Sequence, residues 1–226
     1  MRAYRKHQPP AELGAWQANV HDWRDFAQDA ASYTTVKAAL MAEQQQLCCY
    51  CEWSLVREPC HIEHLQPRHG PDGDSSRTFE YTNLACSCNG GSGTNRHCGH
   101  HKGDVYDRVR FIIPSAENSD RLLVYTMEGH VGSASNLNAA DQERGRYTIR
   151  VLNLDCPRLA NMRRSHANGL MDTIQGLIDA DAADQIGDLA LFYVTADAQG
   201  RLQPFFSLSR QIFGARADAI LEQVED

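Results

Sequence analysis

No run of about 18 consecutive apolar residues occurs in the chain, so no membrane-spanning helix is expected. Basic residues are not in excess: 22 Lys and Arg stand against 29 Asp and Glu, a net charge of -7. That balance argues against a polycationic nucleic-acid coat but leaves room for a local basic groove. The first residues, MRAYRKHQPPAELG, carry charge without an apolar stretch. They do not read as a secretory signal, which makes the cytoplasm the expected location. No internal repeat and no low-complexity segment is visible. Global disorder is not expected, because 42% of the 226 residues are hydrophobic, enough for one compact domain or two small ones.

What the chain does have is a local concentration of metal-binding side chains. Seven of its eight cysteines fall between Cys48 and Cys98, and six of its ten histidines between His61 and His101. In a reducing compartment, clustered thiols mean metal more often than disulfide. Cys48 and Cys51 form C-x-x-C, a spacing that lets both thiolates of a tight turn reach one Zn²⁺. Cys88 and Cys98 flank the glycine loop NGGSGTNRH, which can fold both back to the same ion. These four predict a structural zinc that staples a segment too small to have its own core. Cys49, Cys60 and Cys86 are spare thiols able to replace one of them, while Cys156 stands alone and reads as a buried apolar residue.

Periodicity places these ligands within an α+β chain. Apolar residues at helical spacing (Trp16, Val20, Trp23, then Val36, Leu40, Leu47) predict helices across residues 12–47. Residues 48–104 hold the cysteines and histidines, with loops at RHGPDGDSS and CNGGSGTNRHC. RFIIP and RLLVYTMEGHV read as strands, the second turning at Glu128-Gly129. Helices are expected over residues 137–154, from Pro157 to 180, and over 209–224.

CHIEHLQP offers His61, Glu63 and His64 within four residues. A carboxylate on a divalent cation beside an imidazole that activates water is a hydrolase arrangement. Any one histidine alone would read as a solvated or core residue. Asn83, in FEYTNLACSC, can make a turn or hold a histidine in one tautomer. HCGHHKGD then supplies His97, His100, His101, Lys102 and Asp104.

C-x-x-C, E-H, N-L, a second cysteine pair and K-G, in that order, resemble an HNH nuclease of the zinc-stapled ββα-metal kind. The resemblance implies His64 as general base, Glu63 as carboxylate ligand of a catalytic Mg²⁺ or Mn²⁺, and Asn83 as the residue orienting His64. Lys102 is expected to meet a phosphate as a point charge. The family commonly has Asn or His directly after the last cysteine as second metal ligand, where this chain has Gly99. His100 is the nearest candidate, with His101, His97 and Asp104 behind it. Further stretches (MRAYRKHQPP, LMAEQQQLCCYCE, IRVLNLDCPRLANMRR) resemble the HNH subunit of Septu-type and retron-linked anti-phage systems. That resemblance implies a nucleic-acid substrate and an ABC/SMC-like ATPase partner. The expected organisation is a helical segment over 1–47, an HNH core over 48–104 and a mixed, mostly helical region over 105–226. A zinc-ribbon module without catalysis, or an adaptor whose helical C-terminal half docks a partner, are the other readings. Metal-dependent cleavage separates them.

Overall fold

Three helices lead into the cysteine region of the computed structural model, which describes residues 1–18, 22–116 and 118–225. They are α1 (Ala11–Ala18), α2 (Trp23–Gln28) and α3 (Ala30–Glu43). Asp22 and Asp29 cap α2 and α3 by accepting from the backbone N–H of Arg24 and Ser32. Val36 and Leu40 turn inward, as their spacing predicts, and Phe26 is buried with them, whereas Val20 lies outside the described residues. The expected helix through Leu47 stops at Glu43. Gln45 and Gln46 take left-handed φ values of 50° and 65°, and Leu47 bridges to Ser54 instead.

Strand β1 (Cys60–His64) pairs antiparallel with β2 (Leu84–Cys88), Cys60 facing Cys88 and His64 facing Leu84. Gln44 fastens α3 to this hairpin. Its amide donates to the carbonyls of Leu47 and Cys86 and accepts from the Cys86 N–H. The short helix α4 (Gly99–Lys102) follows, so the order around the cysteines is strand, strand, helix.

RFIIP is not a strand. Phe111 and Ile112 are buried plugs, and the Ile112 N–H is taken by Thr148 Oγ1 at 2.9 Å rather than by a neighbouring strand. The hairpin of β3 (Leu123–Tyr125) and β4 (Val131–Ser133) forms as expected. Its turn needs Gly129, at φ +87°, because a Cβ there would lie 1.9 Å from the Ala160 carbonyl oxygen.

Helix α5 (Ala139–Leu152) starts at the Asn138 cap and ends at Asn153, whose amide donates to the carbonyls of Thr94 and Arg96. The Cys98 N–H donates to Leu152 O, so the end of α5 carries the loop bearing the last cysteine. Helix α6 (Pro157–Asp179) has proline in its first turn, as read from the sequence. Helix α7 (Ile186–Val194) was not expected; it is short and strongly apolar, with Ala190 and Val194 buried. The expected terminal helix is two, α8 (Phe206–Phe213) and α9 (Ala215–Glu225), divided at Gly214. Helix α8 packs on α6 and α7. Buried Glu52 joins α8 to the cysteine loop by accepting from the Ser207 N–H and Oγ at 2.8 and 2.6 Å. One core cluster draws Phe26, Leu40, Tyr50, Ile62, Leu84, Phe111 and Leu152 together.

Candidate metal centres and hydrolytic site

The β1–β2 register and the loop held by α5 bring Cys48, Cys51, Cys88 and Cys98 together, all buried, with their sulfurs within 4.8 Å of one another. Cys48 and Cys98 sulfurs are 3.8 Å apart and those of Cys51 and Cys88 3.7 Å. A tetrahedral Zn²⁺ with Zn–S bonds of about 2.3 Å needs about 3.8 Å between sulfurs. The thiols therefore fit the ion. Burial pushes the Cys98 thiol well up, so a cation suits the site as the partner of its thiolate. Among the described residues this is the one group of three or more candidate ligands so close together, and Cys49, Cys60 and Cys86 are not in it. Cys86 Sγ faces the Lys37 carbonyl on α3, and Cys60 Sγ faces Met41.

Side chains two apart on a strand share a face, so His61 and Glu63 emerge together from β1. His61 Nε2 lies 3.3 Å from Glu63 Oε2. The other carboxylate oxygen, Oε1, accepts from Lys102 Nζ at 2.7 Å and from the Tyr50 hydroxyl at 3.2 Å. Burial works against the Glu63 charge, but His61 and Lys102 outweigh it and hold the carboxyl below its ordinary value. Lys102 is buried and also donates to the carbonyls of His64 and Gly103. The expected phosphate contact is thus corrected: α4 aims this ammonium inward, where it anchors Glu63.

His64 ends β1 on another side. Its Nε2 bonds the Thr78 carbonyl oxygen at 3.0 Å, and its ring makes a T-shaped contact with Trp23, centroids 4.4 Å apart. In the neutral ring, donation from Nε2 leaves the Nδ1 lone pair available. Burial pushes the imidazole down to about 4, which keeps it neutral near pH 7. The expected contact from Asn83 to His64 is not made. Asn83 Oδ1 accepts from the Gln66 N–H at 2.8 Å, and its amide donates to the carbonyls of Gln66 and Arg77. Asn83 therefore clamps the two ends of the loop that carries Thr78, and Thr78 is what touches His64.

The remaining histidines separate in space. His101 Nδ1 bonds Val151 O on α5, and His97 Nδ1 bonds Asn95 O beside Cys156. Burial opposes charge on His97, but the Cys156 and Cys51 sulfurs outweigh it and raise the imidazole to about 10. His100 stacks flat on His61 with ring centroids 4.4 Å apart and bonds Asn89 O through Nδ1. Asp104 sits beside Gly70.

Sequence reasoning passed over the surroundings of His64. Trp23 and Thr78, its two neighbours, line a cleft of about 820 Å³ together with Arg24, Arg68, His69 and Ser76. The Arg68 guanidinium lies over the Trp23 ring, 5.6 Å from its centroid. The only sequence signal was the RH pair inside a stretch that otherwise reads as loop.

No family model matches the chain. It is similar to a Vibrio cholerae serotype O1 biovar El Tor protein described as "Retron Vc95 putative HNH endonuclease", 26% identical over 136 residues. It is also similar to an Escherichia coli protein described as "Retron Ec83 putative HNH endonuclease", 28% identical over 182 residues. The matches cover 60% and 63% of this chain, and 65% and 69% of those proteins. The first thus falls just short of two thirds of its relative's length. No helix among the described residues is long and apolar enough to cross a membrane.

Proposed function

We propose that this chain is an HNH-type endonuclease with a ββα-metal core over residues 48–104, hydrolysing phosphodiester bonds in nucleic acid. The observation that carries the reading is the end of β1. Glu63 is held ionised by His61 and Lys102, and His64, the next residue along the strand, is held neutral by burial, with four thiols spaced for zinc in the same hairpin. The structural role goes to zinc on Cys48, Cys51, Cys88 and Cys98. A Mg²⁺ or Mn²⁺ ion taken up at Glu63 would supply charge stabilisation to the phosphoryl oxygens and the leaving oxygen.

The chain's own groups do the rest. Thr78 O accepts a hydrogen bond from the Nε2–H of His64, leaving Nδ1 to accept a proton from the attacking water. Asn83 acts as a positioning residue by clamping the loop that presents Thr78. Arg24 and Arg68 line the cleft as phosphate contacts.

The retron named for the relatives fits an anti-phage setting; the ABC/SMC-like ATPase as gating partner is what the Septu-type resemblance implies. The test is cleavage of single- and double-stranded DNA and of RNA with Mg²⁺ or Mn²⁺, with and without a co-encoded ATPase. Chelator-sensitive cleavage of at least one substrate is expected. No cleavage under any of these conditions would leave a zinc-binding adaptor as the better reading.

A further inference from the structure

We infer that His61, through Nε2, is the second protein ligand of the cation held by Glu63, in the place where the start of α4 offers no side chain. The inference rests on the hydrolytic reading above and concerns which residues of this chain build its metal site.

Space is the first argument. Gly99 abuts the pair so closely that a Cβ there would lie 2.4 Å from Glu63 Oε2 and 2.9 Å from His61 Nε2. Any side chain at position 99 would have to displace both. The volume beside Glu63 is therefore filled from the strand, by His61, and not from the helix.

Hydrogen bonding is the second. His61 Nδ1 lies 3.0 Å from Asn89 Oδ1, and the neutral tautomer that donates there presents an unprotonated Nε2 to Glu63 Oε2. In that tautomer two lone-pair atoms face each other at 3.3 Å, and a cation between or beside them satisfies both. A proton can serve, making the contact a salt bridge; a divalent ion can replace it. Donation of the far ring nitrogen to a fixed acceptor is the usual outer-shell support of a metal-ligating histidine. Glu63 Oε1 is already saturated by Lys102 and Tyr50, which leaves Oε2 as the free donor.

Geometry moves the ligand role away from His100. Its ring lies parallel to His61, 7° between planes, and its Nδ1 is bonded to the same residue's backbone, Asn89 O at 2.6 Å. The lone pairs of stacked rings lie in separate parallel planes, so the two do not converge in-plane on one ion. His61, Glu63 and His100 accordingly do not form a three-ligand group of the kind the cysteines do. His100 covers the His61 ring.

One carboxylate and one imidazole leave most of the coordination sphere to water and substrate oxygens. Imidazole suits Mn²⁺ and later first-row ions better than Mg²⁺, which prefers oxygen. The pair therefore predicts tighter binding of Mn²⁺ than of Mg²⁺.

The experiment is Mn²⁺ titration of the full, zinc-loaded chain, followed by the electron paramagnetic resonance signal of free Mn²⁺. Zinc content and unfolding midpoint are checked in parallel. One Mn²⁺ per chain is expected, displaced only by a large excess of Mg²⁺. His61→Ala should weaken binding by about tenfold or more, and Asn89→Ala by about 10- to 100-fold, the usual scale for lost outer-shell support. His100→Ala should change it by less than about threefold. Absence of a Mn²⁺ site in the wild-type chain, or loss of binding in His100→Ala but not in His61→Ala, overturns the inference. Binding through His61 without cleavage of any nucleic acid would instead overturn the hydrolytic reading and leave the metal site standing. Cleavage that survives in His61→Ala with unchanged Mn²⁺ affinity would do the reverse.

Discussion

Lys102 Nζ lies 2.7 Å from Glu63 Oε1, with both side chains buried at the junction of α4 and β1. The pair fixes the distance between the helix that follows Cys98 and the strand that carries Glu63 and His64. It also decides which carboxylate oxygen stays free. Replacing one member of such a buried pair strands the other charge, at about 3–5 kcal/mol. Lys102→Met should lower stability on that scale in urea unfolding, while zinc content stays at the wild-type level. A loss under about 1 kcal/mol would mean that Glu63 is solvated after all.

The four-thiol cluster predicts about one zinc per chain by elemental analysis. Cys51→Ser should lose the ion and much of the soluble yield, because a structural zinc contributes directly to folding. Cys86→Ser, outside the cluster, should keep the full zinc content. A well-folded chain free of zinc, or loss of zinc on Cys86→Ser, would contradict the assignment.

Asn83 predicts a coupled effect. Asn83→Ala removes the partner of the Gln66 N–H and of two carbonyls in a buried setting, a cost of about 1–3 kcal/mol per unpaired group. Because the loop carrying Thr78 loosens, nitrogen NMR of His64 should lose its single Nε2–H tautomer and cleavage should slow. An unchanged tautomer would reduce Asn83 to a purely structural residue.

Much of this site was readable from residue order, and the unread parts share a physical reason. The C-x-x-C turn and the glycine loop before Cys98 are local signals, so the cysteine group could be named from spacing. Glu63 and His64 were legible as neighbours. What they touch was not: Lys102 turns inward because α4 lies against β1, and Thr78 reaches His64 only after Asn83 closes a loop. The importance of His61 depends on the room left by Gly99, 38 residues away in sequence and in contact only when folded. RFIIP failed as a strand because Thr148 takes its backbone donor, a tertiary event that β propensity does not register.

The C-terminal region carries a pH-dependent term. His166 donates to or accepts from Ser209 Oγ at 2.8 Å, and burial holds its imidazole below the ordinary value despite the Glu52 carboxylate. With the folded value depressed, the unfolded chain takes up the proton first as pH falls. The stability this residue contributes is present above about pH 6.5 and is lost on acidification below it. The advantage of wild type over His166→Gln should therefore shrink between about pH 7.5 and about pH 5 in denaturant titrations. An advantage that grows on acidification would reverse the sign of the shift.

The most direct test of the account is the single-turnover cleavage rate of His64→Ala beside wild type, on whichever nucleic acid the wild-type chain cuts, with the divalent cation saturating. The substitution removes the proposed base and no zinc ligand. It also leaves Thr78 O without its partner and a gap beside Trp23, so some stability is lost while zinc content stays. The rate should fall by about 10² or more, the scale of a lost general base. Cleavage by folded, zinc-loaded His64→Ala at the wild-type rate would contradict the placement of hydrolysis at the end of β1.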